Sequence, residues 1–269
     1  MSPEREIGLQ IPQILLPKTH IDHNKWAVIA CDQFTSEPEY WAQVEEIVGD
    51  APSTYHMILP EVYLETPEEQ QRIQSTQQAM HHYLNSKRFQ ELQDFIYVLR
   101  TVDGRTRRGL MVCLDLEHYD YNKGAQTLIR ATEGTILDRL PPRIRIRQDA
   151  PLELPHILVL FDDPTDSVFG PIDEQIETFE TLYDFDLMLG SGHLRGLKLT
   201  GEKIQTHIFN TLNKLVNPDT FAEKYNLKPG RYEPLLFAMG DGNHSLATAK
   251  AIWEKLKPEV GMDHPARYA

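Results

Sequence analysis

Cysteine is almost absent: Cys31 and Cys113 are the only two in 269 residues. Two cysteines cannot build a disulfide framework, and no Cys-x-x-Cys pair exists. Both lie in apolar, strand-like runs, where the expectation is a small buried hydrophobe rather than a reactive thiol. Basic residues are in deficit, with 27 Lys and Arg against 40 Asp and Glu and a formal net charge of −13. Phosphate backbones demand a basic surface, so nucleic acid is excluded as an expected partner. A local basic patch for a small anionic ligand remains open. No apolar run approaches about 18 residues, so no membrane span is expected. The N-terminal MSPEREIGLQIPQILLP carries acids and prolines and no long apolar core, so it is not read as a signal peptide. A cytoplasmic protein is the expectation. There is no internal repeat and no low-complexity tract.

What is present suffices for a core. Hydrophobic residues make up 41% and aromatics 9%, which excludes a chain disordered throughout. The length favours one to two domains. Residues 11–16, bracketed by Pro12 and Pro17, read as an extended edge piece. Residues 25–31 (KWAVIAC) read as a buried strand that ends at Asp32. Ser36 and Pro38 then open a helix to Val48. A Gln-rich helix is expected from Thr66 to about Arg88. Residues 95–100 and 109–116 flank Asp103-Gly104, which argues a hairpin. Residues 156–161 read as a buried strand, 172–183 as an acidic helix, 190–196 as a glycine-rich loop, and 200–216 as a helix. Asn217-Pro218 starts a short helix. Residues 234–239 form a strand, followed by a turn and a helix over 246–256. The mixture predicts an α/β class, with α+β open: mixed sheet flanked by helices. A soft boundary near 162–170 would divide an α/β region over 1–165 from another over 166–269. Residues 264–269 read as the approach to another strand, so the chain is expected to be a piece of a longer protein.

Several constellations carry candidate chemistry. In residues 237–253 (FAMGDGNHSLATAKAIW) an apolar strand runs through a glycine turn directly into a helix. Gly240 and Gly242 permit a tight turn and close backbone approach. The first amides of the helix, with its dipole, then suit an anion. Gly240, Asp241, Gly242, Asn243, His244 and Ser245 are the candidate phosphate ligands. The ordinary alternative is a plain connection capped by Asn243 or Ser245. Asp32, with Gln33 and Thr35, follows a strand as α/β sites do, and is a candidate base or metal ligand or else a helix cap. Glu133, with Arg130 and Thr135, is a candidate acid/base group with phosphate contacts. Arg139, Arg143, Arg145 and Arg147 alternate; on a strand they would share a face and clamp an anion, or be a solvated face. His193 and Arg195 are ligand contacts or part of a mobile loop. No metal site is expected; His20-Ile21-Asp22-His23 has metal-like spacing in loop-like surroundings.

The chain resembles the domain of unknown function 1015 family of bacteria and archaea. The resemblance rests on VIACDQFTSEPEYW at 28–41, LIRATEGTILDRLPPR at 128–143, LPHILVLFDDP at 154–164 and FAMGDGNHSLATAKAIWE at 237–254. Members continue past residue 269, in line with a longer parent chain. The turn also resembles the Asp-Gly-His-His-Arg box of ParB-like nucleotide-binding domains, which include free-serine kinases and, more distantly, sulfiredoxin. That likeness implies phosphate binding by Asp241, Gly242 and His244. Asn243 replaces a His of the box and Ser245 its Arg, so a charge-assisted bond is lost.

Three functions follow as expectations. The first is an enzyme that binds a nucleotide or phosphorylated metabolite, with Mg²⁺ and ATP or ADP as cofactors. It would transfer a phosphoryl group to a small hydroxyl compound such as an amino acid. Asp32, Glu133 and His244 would be its catalytic groups, and Gln33, Thr35, Arg130, Thr135, Arg143, His193 and Arg195 would hold substrate. The second is a hydrolase or isomerase using Asp32, Glu133 and His244 as acids and bases. The third is a non-catalytic regulator with the Gln-rich helix as its interaction surface. A small anionic ligand is the expected partner, with no nucleic acid, no membrane, and a homodimer compatible with the composition.

Overall fold

The computed structural model describes residues 7–269. The strands are β1 Leu9–Gln10, β2 Gln13–Pro17, β3 Phe89–Gln93, β4 Phe95–Val102, β5 Arg105–Met111, β6 Cys113–Leu114, β7 Tyr119–Asp120, β8 Ile129–Arg130, β9 Leu158–Leu160, β10 Glu180–Asp186, β11 His193–Leu199 and β12 Phe237–Asp241. The α-helices are α1 His23–Trp26, α2 Pro38–Val48, α3 Glu69–Asn85, α4 Leu140–Arg147, α5 Gly170–Asp173, α6 Glu202–Leu215, α7 Pro218–Lys224 and α8 Asn243–Val260. The fold is a mixed α/β one. An antiparallel sheet has the order β10-β11-β4-β5, and a mixed sheet the order β7-β8-β12-β9. Two-stranded ribbons pair β1 with β6 and β2 with β3.

Local chemistry accounts for much of this. Asp103 and Gly104 both have positive φ, 51° and 72°, so the β4–β5 turn matches the twist of its strands. Proline sits in the first turn of α2 and α7, where its missing N–H costs no hydrogen bond. Asn217 caps α7 by accepting from the amides of Asp219 and Thr220. Both four-stranded sheets draw strands from either side of residue 165. One core joins them: Phe95, Tyr97 and Leu197 from the first, Ile129, Phe237 and Met239 from the second, then Ile208 of α6 with Leu246 and Trp253 of α8. No helix among the described residues is long and apolar enough to cross a membrane.

Five expectations are corrected. Residues 25–31 are not a strand. Asp22 caps the short helix α1. The Trp26 carbonyl then accepts from the hydroxyls of Ser53 and Thr54, and the Val28 amide donates to Thr54 Oγ1. Side chains thus take the place of a strand partner. The arginine block 139–147 is not a strand either: Arg139 is the N-cap of the helix α4, which has prolines in its first turn and carries the other three arginines. The acidic helix ends at Asp173, and Glu180–Asp186 is a strand. The glycine-rich loop becomes β11 from His193 on. The strand at 158–160 is present but lies at a sheet edge, with Leu158 and Leu160 exposed rather than buried.

The last residues are tied to the N-terminal ribbon. Ala269 exchanges two backbone hydrogen bonds with Leu114, and Tyr268 bridges Asp115. The guanidinium of Arg267 grips both oxygens of Asp115 at 2.6 and 2.8 Å, and the Asp115 side chain is only 2% exposed. Removing one partner of such a pair leaves a buried charge uncompensated, which costs about 3 kcal/mol. Arg267→Ala is therefore expected to lower the free energy of urea unfolding by about that amount. An unchanged midpoint and slope would show that the pair contributes nothing.

Candidate functional site

β8 and β12 are parallel neighbours, with Ile129 opposite Phe237 and Arg130 opposite Ala238. Their C-terminal ends therefore share one edge of the sheet, where ligand loops of α/β sheets gather. The loop after β8 carries Thr132, Glu133 and Thr135, and the turn after β12 carries Asp241 to Ser245. β9 is antiparallel to β12, so His156 and Ile157, just before its start, lie at the same edge. Three bonds knit these segments. Thr132 Oγ1 donates to the Met239 carbonyl at 2.7 Å, the Ile136 amide donates to His244 Nε2 at 3.2 Å, and Ser245 Oγ lies 2.7 Å from His156 Nε2.

Packing around the turn favours its glycines. A Cβ on Gly240 would meet Leu160 Cγ at 3.0 Å, and one on Gly242 would meet Ile157 Cγ1 at 3.1 Å. Gly242 has φ of 79° and is itself the N-cap of α8, in place of the expected Asn243 or Ser245. A left-handed cap at this position favours glycine. Asp241 turns back, its Oδ1 accepting from the Gly242 amide at 2.8 Å. The amides of Asn243, His244 and Ser245 have no partner among the described residues. Asn243 is 6% exposed, yet its Oδ1 accepts no hydrogen bond. The buried Thr135 hydroxyl likewise has no partner.

Charge meets at His244. Burial holds its pKa below the ordinary value, helped by Arg143 and Arg139 and opposed by Glu133 and Glu61. A neutral ring whose Nε2 accepts from Ile136 carries its proton on Nδ1. Arg143 is paired with Glu61. No carboxylate pairs with Arg139 among the described residues. Arg143 and Arg147 of α4, with the N-cap residue Arg139, share a helical face, rather than the strand face expected for the arginines. Arg145 reaches away to Glu69 at 2.9 Å. The Glu61 amide donates to the Cys31 carbonyl at 2.8 Å, which brings Asp32 to the margin of the group. Burial, with Asp32 and Glu61, pushes the Cys31 thiol up to about 12, so it is no thiolate at neutral pH. Asp32 accepts from Gln33 Nε2 at 3.4 Å, and the Gln33 carbonyl accepts from Trp41 Nε1. Phe34 next to them has φ of 51° and stacks on Tyr40, a strained conformation for a bulky residue. Thr35 is exposed.

The structure thus brings Glu133, Thr135, Arg143 and the 240–245 turn together, with Asp32 and Gln33 linked through Glu61. Three candidates stand apart. Arg130 spends its guanidinium on the carbonyls of Thr127, Glu233 and Pro234, holding β8 to the approach of β12. His193 and Arg195 lie on β11 of the other sheet. His193 bridges Asp184 and Asp186 at 2.8 and 2.7 Å, and Arg195 faces Asp184 and Glu177. Sequence reasoning missed His156 and Glu61. His156 was legible only as the start of an apolar run, and nothing local marks Glu61. Among the described residues no cluster of three or more His, Cys, Asp or Glu is arranged to hold a metal. A groove of about 680 Å³ lies elsewhere, between α3 and residues 55–60, lined by Glu45, His56, Arg72 and His82. The convergence of loops places the candidate site at the sheet edge rather than in that groove.

The family model of DUF1015, a protein of unknown function, matches residues 15–269. The chain belongs to this family. No curated protein and no solved structure matches it. The loops that meet at the sheet edge all fall within the DUF1015 match.

His244 makes stability pH-dependent. Its unfolded imidazole protonates near 6.5, while the folded ring resists the proton to lower pH. As pH falls through 6.5 the unfolded chain takes up the proton first, so folding stability drops. His244→Gln keeps an acceptor for Ile136 and does not titrate. Urea unfolding between pH 7.5 and about 5 is expected to show a smaller acid loss in this variant than in the unaltered chain. Identical losses would exclude His244 as a source.

Proposed function

We propose that this DUF1015 chain is a cytoplasmic enzyme that binds a nucleotide or phosphorylated small molecule at the 240–245 turn. It transfers a phosphoryl group to a small hydroxyl compound. One observation carries the reading: three partnerless amides open the 18-residue helix α8, and Arg139 and Arg143 lie close enough to depress the His244 pKa. Aligned amides at the positive end of a helix dipole with adjacent guanidinium charge suit a phosphate. Arg139, with no carboxylate partner among the described residues, restores through space the charge that Ser245 lacks beside the ParB-like box. His244 Nδ1–H is a donor for a phosphate oxygen. Glu133 and Asp32 serve as acceptor of the hydroxyl proton or as holders of Mg²⁺, and catalysis rests on positioning and charge neutralisation.

Melting curves with ATP, ADP, pyrophosphate and phosphoserine, each with and without Mg²⁺, test this. A ligand at about a hundred times its Kd adds about 2.7 kcal/mol of stability. A shift with at least one phosphate compound is expected, and Arg139→Ala or His244→Ala should remove it. No shift with any of them, or one that survives both substitutions, sinks the reading.

A further inference from the structure

We propose that Ser245 and His156 form a nucleophile–base pair that cleaves a small carboxylic ester through a seryl ester on Ser245 Oγ. Oγ lies 2.7 Å from His156 Nε2, within the range required of such a pair. On the far side of the ring, His156 Nδ1 lies 3.4 Å from the Leu154 carbonyl. A carbonyl only accepts, so Nδ1 carries the hydrogen and Nε2 presents its lone pair to the serine hydroxyl. This is the tautomer a general base needs, held by a carbonyl where catalytic triads use a carboxylate. Both side chains are half-buried, so neither is sealed from a small molecule. The amides of Asn243 and His244, beside the serine at the start of α8, are without partners and suit the oxyanion of a tetrahedral intermediate.

The chemistry balances without a co-reactant other than water. Oγ attacks the ester carbon as its proton passes to Nε2. The bond from that carbon to the alcohol oxygen breaks, and the alcohol leaves with the proton from Nε2. Water then gives a proton to Nε2 and adds to the acyl carbon. Oγ departs, recovers the proton, and a carboxylic acid is released. None of these steps needs phosphate binding, so this activity and the phosphoryl-transfer reading stand or fall separately.

A fluorophosphonate probe on the full chain tests the pair. Oγ–P bond formation with loss of fluoride should leave one adduct per chain, on the peptide that carries Ser245. Ser245→Ala should carry none. His156→Gln should label about 100-fold more slowly and lose p-nitrophenyl acetate hydrolysis in step. Absence of an adduct at Ser245, or an equal rate in His156→Gln, overturns the proposal. Should Ser245→Ala not fold, Ser245→Cys replaces it. The thiol it introduces should react with iodoacetamide at least about 10-fold faster than Cys31 and Cys113, whose burial pushes them up to about 12 and about 11. Reaction no faster than theirs overturns the pair equally. A bond that merely ties residues 154–157 to α8 would change melting temperature but produce no adduct.

Discussion

Everything at the candidate site depends on a parallel pairing of two short strands. Only Ile129 with Phe237 and Arg130 with Ala238 are in register, so the ladder alone is a weak clamp. The surroundings reinforce it. The Leu128 carbonyl accepts from the amides of both Leu236 and Phe237, and Arg130 grips carbonyls on both sides. Ile129 and Phe237 are buried in the core shared by both sheets. An arginine that looked like a ligand contact is thus a structural brace. Burial lowers its pKa, opposed by Glu233.

Once that pairing is set, glycine decides how close the third segment comes. Gly240 and Gly242 admit Leu160 and Ile157 at distances that would be tight for a Cβ. The same absence of a Cβ lets the chain turn through a left-handed Gly242 straight into α8. Close packing and an open helix end therefore have one cause. That is also what carries Ser245 to His156, 89 residues away in sequence.

In a chain of net charge −13, local balance at this edge differs from the average. Glu61 neutralises Arg143, Glu133 lies near His244, and Arg139 remains without a carboxylate among the described residues. The imidazole stays neutral because burial and two guanidinium groups outweigh two carboxylates. Net charge spoke against polyanions as partners, but it could not locate this patch, because composition averages over surfaces that the fold separates.

The sequence by itself determined what depends on neighbours along the chain. The Asp103-Gly104 hairpin, the proline starts of α2 and α7, the strand-turn-helix at 237–245 and membership of DUF1015 were all legible there. Tertiary structure decided what depends on partners far away. Residues 25–31 have a strand's composition, but the hydroxyls of Ser53 and Thr54 occupy their backbone groups. Residues 180–183 look helical next to their acidic neighbours, yet β11 offers them a ladder. Arginines that alternate as on a strand lie on a helix, because two prolines start one. Glu61, His156 and Arg139 reach the site only through pairing and packing of segments that no local pattern connects. Propensity is a property of short windows, whereas a site is formed by whichever loops the sheet order brings to the same edge.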